Sequence, residues 1–340
     1  MARSCSLHWL AVAVSSKQMD HAALSTFTSP VILFFLLGLL AATVRSELAI
    51  PEAMAKGMSL YLMAAIGLKG GVAVAKSGID AEIAFALLAG IAASLSIPLL
   101  AYAVLRLFAR LDQVNAGAVA AHYGSVSVVT FVTANEVLGV MAMPPAGYMV
   151  AVLAVMETPA ILSGLLLARK GQAGADHDGG ELWREVFLNP SVVLLLGSFA
   201  IGAIAGPKGF EEVKPLFDSG FKGVLCLFLL DMGLIAARRL LDARALTYRL
   251  AVLAIVFPLI NGTLGVVIGT AIGLDPGSAA AFGVLCASAS YIAVPAAMRL
   301  ALPQADPGIY LSMSLSLTFP FNILFGISLF AALANWLAGG

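Results

Sequence analysis

The sequence predicts an all-α integral membrane protein with ten transmembrane helices, arranged as two inverted five-helix repeats with broken crossing helices. Three observations carry that expectation. Apolar residues make up 61% of the 340-residue chain and charged residues only 11%, with a mean hydropathy of +0.98, whereas a soluble domain carries about 25% charge. Runs of about 20 apolar residues, enough for a helix to cross a ~30 Å hydrocarbon core, recur along almost the whole chain. The residues that disturb those runs come in the same order in each half, as an internal duplication requires.

Spans one to three are placed at 29–47, 53–75 and 82–105. Span four, 114–135, is interrupted around Gly124 by serine, glycine and tyrosine, and span five, 146–168, contains Glu157-Thr158-Pro159. A long polar stretch follows from Arg169 to Glu185, with Gly171, Gly174, Gly179 and Gly180 set among charges; it reads as a flexible linker. Spans six to eight are placed at 189–206, 215–237 and 246–272, and span nine, 277–300, is interrupted near Cys286 much as span four is. Span ten covers 307–337. The chain thus divides into an N-terminal extension (1–28), a first five-helix repeat (29–168), a cytoplasmic linker (169–188) and a second five-helix repeat (189–340).

Landmarks in the halves share one register. Pro30 and Pro190 stand 160 residues apart, Gly67 and Gly233 166, Ser125 and Ser288 163, Tyr148 and Tyr310 162, and Pro159 and Pro320 161. Five spans per half is an odd number, so the second half enters the membrane from the opposite side, and the repeat is inverted. The competing reading is that glycine and proline simply recur in membrane helices.

Loop charges give the orientation. Joins after spans three, five and seven carry Arg106, Arg110, Arg169, Lys170, Arg184, Arg238, Arg239, Arg244 and Arg249, whereas those after spans two, six and eight carry little beyond Lys76, Lys208 and Lys214. The first set is expected in the cytoplasm, which leaves both termini outside it. Met1 to Gln18 contains an apolar stretch too short to span; an upstream start accounts for it as readily as a native extension does, since Met19 opens a segment leading directly into span one. With 19 basic and 19 acidic side chains the formal net charge is zero, which gives no reason to propose nucleic acid as a partner. Cys5, Cys226 and Cys286 are far apart and imply no disulfide framework.

Ser125-Val126-Ser127 and Ser288-Ala289-Ser290 lie at matching places in the two interrupted spans. Hydroxyls inside an oily helix suit a break near the membrane midplane that holds a small ion, as in transporters built from two repeats. The alternative is that such residues only let helices approach and hydrogen-bond. Among intramembrane ionisable groups, Glu157 before Thr158-Pro159 is the leading candidate for a pathway role, set against hydration near an interface. Lys69 and Asp231 lie near the landmarks Gly67 and Gly233 and are expected to pair across the bundle. His122 is a lone histidine beside the first break, expected to be hydrogen-bonded within its helix and not to ligate a metal.

The order of motifs from Ser29 onward resembles the sodium-dependent bicarbonate transporter family of cyanobacterial type. The resemblance is carried by Ile50-Pro51-Glu52-Ala53, Ile66-Gly67-Leu68-Lys69-Gly70-Gly71, Tyr123-Gly124-Ser125-Val126-Ser127, Met156-Glu157-Thr158-Pro159-Ala160 and Ala287-Ser288-Ala289-Ser290-Tyr291. It implies substrate where the broken fourth and ninth spans cross, with Gly124, Ser125, Ser127, Thr130, Ser288 and Ser290 binding bicarbonate, and half-helix N-termini facing the anion. Glu157, Thr158 and Tyr291 are the residues expected to serve ion coupling, with Na+ as coupling ion, no other cofactor or metal, and no catalytic residue. The resemblance further implies a multi-pass protein of the inner (plasma) membrane that imports bicarbonate and assembles as a homo-oligomer, a trimer by analogy. Cyanobacterial members carry an aspartate directly after the second serine cluster, where this chain has Tyr291. Its linker is also short beside theirs, so control by a soluble PII-like partner does not transfer directly. A proton- or sodium-coupled carrier of another small anion is the first alternative. An intramembrane enzyme or receptor is the remote one, since no nucleophile with a base or zinc-protease helix motif is present in the sequence.

Overall fold

The computed structural model describes residues 28–78, 81–169, 190–243 and 245–339. Among them every regular element is helical, and none is a strand. The predicted extension up to residue 27, linker residues 170–188 and Arg244 lie outside the described residues, as does Cys5.

The helices in order are α1 (Pro30–Thr43), α2 (Glu52–Ser77), α3 (Ala81–Val104), α4 (Gln113–Gly124), α5 (Val128–Val140), α6 (Met149–Arg169), α7 (Pro190–Lys214), α8 (Phe221–Leu241), α9 (Tyr248–Ala271), α10 (Pro276–Ala287), α11 (Ala293–Ala301) and α12 (Pro307–Leu337). Six stretches among the described residues are long and apolar enough to cross a membrane: α2, α3 with its final π turn, α4 with α5, α6, α9 and α12. Four predicted spans do not reach that standard: the first and ninth because α1 has 14 residues and α10 only 12, and the sixth and seventh for reasons visible in α7 and α8. α7 turns at Gly206, whose φ of +61° is a left-handed conformation that side chains with a Cβ adopt at a cost. α8 carries Lys222, Asp231, Arg238 and Arg239 within its 21 residues.

Glycine sets the closest helix crossings. α1 lies against α8, where a Cβ on Gly38 would strike the Leu230 carbonyl and one on Gly233 the Phe35 carbonyl. α2 lies against α7 in the same manner: a Cβ on Gly67 would come within 2.6 Å of the Leu195 carbonyl and 2.9 Å of the Ser198 side chain, and Gly71 leaves room only for the Phe199 carbonyl. Small residues let backbones approach this closely, which is how apolar helices gain packing energy where burial alone supplies none. Beside these four, α3, α4 and α6 pack together, as do α9, α10 and α12.

Acidic caps start the helices that lead toward the serine clusters. The Asp112 carboxylate accepts from Asn115 N at 3.0 Å ahead of α4, and Asp275 accepts from Ser278 N at 3.0 Å ahead of α10, each satisfying one of the helix's orphan N–H groups. Partial burial alone would push the Asp112 carboxyl above its usual range, but hydrogen bonds from Asn115 and Val114 outweigh it and hold the carboxyl below that range.

Lys69 does not pair with Asp231. Its Nζ lies 2.7 Å from Asp218 Oδ1, in the turn before α8, and 4.4 Å from the centre of the Phe221 ring. Two residues along a helix rotate a side chain by about 200°, so Gly67 faces α7 while Lys69 points away from that contact. Asp231 is buried, and its Oδ2 has no hydrogen-bond partner; the charge that acts on it is Arg238. The same turn is fixed further by the Tyr61 hydroxyl, which donates to the Leu216 carbonyl while its ring stacks on Phe217.

Candidate functional site

Both interrupted runs are true breaks. α4 ends at Gly124 and α5 begins at Val128, while α10 ends at Ala287 and α11 begins at Ala293. Ser125 and Ser288, the first residues past each helix, are extended, with ψ of 175° and 163°. The chain therefore crosses each gap with backbone groups outside the helical ladder, and these must find partners inside the protein.

The breaks supply those partners to each other. Ser127 N donates to Ser288 Oγ at 3.0 Å, and Ser290 N donates to the His122 carbonyl at 2.9 Å. Ser288 Oγ in turn donates to the Leu285 carbonyl at 2.8 Å, and Ser125 Oγ donates to the Glu157 carbonyl at 3.2 Å. The protons of Ser125 and Ser288 are thus spent on carbonyls. Ser127 and Ser290 differ: their oxygens accept, from Thr130 N at 3.2 Å and Val294 N at 3.4 Å, which leaves each hydroxyl proton available to another acceptor.

Ser127 and Ser290 line one small enclosed cavity together with Glu157, Tyr291 and Met63 of α2. Its free volume of about 10 Å³ is room for roughly one water-sized particle. Glu157 is 2% exposed, and its Oε2 has no hydrogen-bond partner. The Tyr291 hydroxyl is likewise buried and lies near Ser127 without a well-formed hydrogen bond. Two unpartnered oxygens at a cavity with two free hydroxyl protons make a polar chamber in an apolar bundle, and such groups are costly unless something binds them.

The remaining predicted residues are placed differently. Gly124 is a packing position, where a Cβ would collide with Pro98 and come within 2.9 Å of Ala160. Thr130 serves the α5 cap through its backbone N–H, and Thr158 is partly exposed on α6 outside the cavity lining. His122 is buried, hydrogen-bonded from Nδ1 to the Ala118 carbonyl at 2.7 Å and stacked on Tyr310 with ring centres 4.4 Å apart. Among the described residues no three His, Cys, Asp or Glu side chains cluster as metal ligands.

Several contributors were not visible in the sequence. Met63 closes the cavity from α2. Ser94 donates from α3 to the Met156 carbonyl beside Glu157, and Thr318 donates from α12 to the Ala254 carbonyl at 2.6 Å while accepting from the Tyr123 hydroxyl at 2.7 Å. Asn322 donates to the Ala287 carbonyl at 2.9 Å, holding the end of α10 at the second break. Thr318 and Asn322 sit in two π-helical segments of α12, Ser312–Thr318 and Asn322–Gly326. The signal available for them was the alternation Ser312, Ser314, Ser316, Thr318 ahead of Pro320.

Compared with known proteins, residues 30–335 match the profile of the Na+-dependent bicarbonate transporter superfamily. No curated protein matches the chain.

Proposed function

The chain belongs to the Na+-dependent bicarbonate transporter superfamily, and we propose that it is a secondary active symporter importing bicarbonate with sodium across an inner (plasma) membrane. The observation that carries this reading is the meeting of the Ser127 and Ser290 caps at one cavity beside Glu157. Bicarbonate is a small planar anion whose oxygens accept the two free hydroxyl protons. The first turns of α5 and α11 add backbone N–H groups and a partial positive charge. Glu157 and Tyr291 offer oxygens to the accompanying cation, a hard ion that prefers such ligands. The cavity is smaller than the anion, so binding accompanies a rearrangement in which α2, through Met63, draws away from the breaks.

Ten spans in two inverted repeats are part of this reading, with α4–α5 and α10–α11 each counted as one broken span. Three paired features support it. The Gly38–Gly233 approach has a counterpart in Gly67 against Ser198. The Ser94 bond to α6 has a counterpart in the Thr318 bond to Ala254. The Asp112 cap has a counterpart in the Asp275 cap. The arginine-bearing joins then face the cytoplasm, and a trimer is the assembly the family suggests.

A proton-coupled carrier is the second reading, favoured by the unpartnered Glu157 Oε2, which carries a proton as readily as it ligates a cation. Radiolabelled bicarbonate uptake into proteoliposomes, with and without an inward sodium gradient, decides between them. Uptake that rises with the gradient is expected. Bicarbonate uptake driven equally well without sodium overturns the coupling, and no bicarbonate uptake at all overturns the substrate.

A further inference from the structure

A second polar space lies between the end of α8 and the start of α12. It has a volume of about 530 Å³ and is lined by Ile235, Arg238, Arg239, Asp242, Gly308 and Ser312 among others. Its two arginines have different duties. Arg238 Nη2 donates to the Ser46 and Leu48 carbonyls at 3.3 and 2.6 Å, which ties α8 to the α1–α2 join. Arg239 is exposed and belongs to none of the ion pairs among the described residues. The charges of Arg299 and Asp306, and more weakly that of Arg239, act on the Tyr310 hydroxyl.

Tyr310 connects this cleft to the serine cavity. It lies two residues from both Gly308 and Ser312, on the side of α12 turned away from the cleft they line, and its buried ring stacks on His122. The His122 carbonyl accepts from Ser290 N. The start of α12 and, behind it, the Tyr310–His122 stack therefore lie between the cleft and the residues that cap the breaks. The walls of the cleft come from α8, which packs with α1, and from α12, which packs with α9 and α10, and the two walls also pack against each other along the Ser312–Thr318 segment.

We propose that this cleft is the cytoplasm-side antechamber of the transport path, in which Arg239 attracts the anion and the His122–Tyr310 stack is the partition in front of the break. The assignment rests on the transport reading above and on the orientation given by the loop charges. A basic wall in a cleft raises the local anion concentration and speeds capture, and Asp242 on the same wall limits retention by weakening the attraction. Arginine also presents a planar donor fork that matches carboxylate-like oxygens.

The test is exchange of radiolabelled bicarbonate by the full chain, with half-saturation measured separately at each face in right-side-out and inside-out vesicles. Arg239→Gln is expected to raise half-saturation at the cytoplasmic face by about five-fold at low salt, with a smaller effect at high salt, and to leave the outer face unchanged. Arg239→Lys restores most of the loss. In a Ser290→Cys background, Tyr310→Ala is expected to speed alkylation by a membrane-impermeant thiol reagent added from the cytoplasmic side. Equal shifts at both faces, or none, overturn the antechamber, as does unchanged alkylation. If the unaltered chain exchanges no bicarbonate from either face, the transport reading itself fails, and that outcome is distinct from a failure confined to the variants.

Discussion

The Ser127 amide donates to the Ser288 hydroxyl across the two helix breaks at 3.0 Å. Ser288→Ala removes the acceptor and strands a buried N–H, a loss of about 1–3 kcal/mol. A lowered unfolding temperature in detergent is expected, together with reduced transport. A variant with unchanged melting would mean that the two breaks are not held by this bond.

Ser127 and Ser290 also cap helices through their oxygens, but their hydroxyl protons are free, so a further effect on substrate is expected. Alanine at either position is expected to raise the bicarbonate concentration for half-maximal uptake about ten-fold, which corresponds to ~1.4 kcal/mol. Membrane insertion and oligomeric state stay intact. Normal uptake by the double variant would sink the proposed anion site.

Glu157→Gln keeps the size of the side chain and removes its charge. With sodium coupling, the variant needs much more sodium for half-maximal uptake; with proton coupling, it loses its pH dependence and the unaltered protein shows little response to sodium. Unchanged profiles in both ions would make Glu157 structural. Tyr291→Asp is the reciprocal check, expected to strengthen sodium dependence because residue 291 lines the cavity.

The Lys69–Asp218 pair gives a pH dependence of known sign. The hydrogen bond from Lys69 holds the Asp218 carboxyl below its ordinary range, so its contribution is complete above the unfolded carboxylate value, near pH 4, and is lost as pH falls through the lowered folded value. The difference in melting temperature between the unaltered chain and Lys69→Met should be constant from about pH 8 to pH 5 and shrink below about pH 4. A difference that grows in acid contradicts the pairing.

Gly71→Ala should destabilise, because its Cβ meets the Phe199 carbonyl, whereas Gly57→Ala on the same helix meets nothing within 4 Å. The first costs about 1–3 kcal/mol by overpacking, and the second is neutral or slightly favourable by helix propensity. Thermal unfolding of both variants side by side checks the contrast.

Helix placement was legible because length and polarity are local properties. The predicted start at residue 29 falls beside the Pro30 start of α1, and both serine clusters fall in the breaks themselves. The end predicted at 47 overshoots Thr43, since the chain turns at Arg45 with φ of +58°. Partners were not legible. In helices that are apolar on every side no face announces its neighbour, so nothing local sends Lys69 to Asp218 or Thr318 to Ala254. The division of labour among the serines was hidden for a related reason: which hydroxyls spend their protons depends on carbonyls such as Glu157 O, 32 residues from Ser125.

The glycine crossings of α1 with α8 and α2 with α7 also bear on what is able to move. Backbone set directly on backbone has no rotamers to rearrange, so each joint behaves as a weld and admits neither sliding nor rocking without loss of contact. Displacement is then confined to seams filled by long, pliable side chains, of which Met63 over the serine cavity is one. Amide hydrogen exchange should register this as two slow seams, around Gly38 and Gly67, bordering a faster one along the face of α2 that carries Met63.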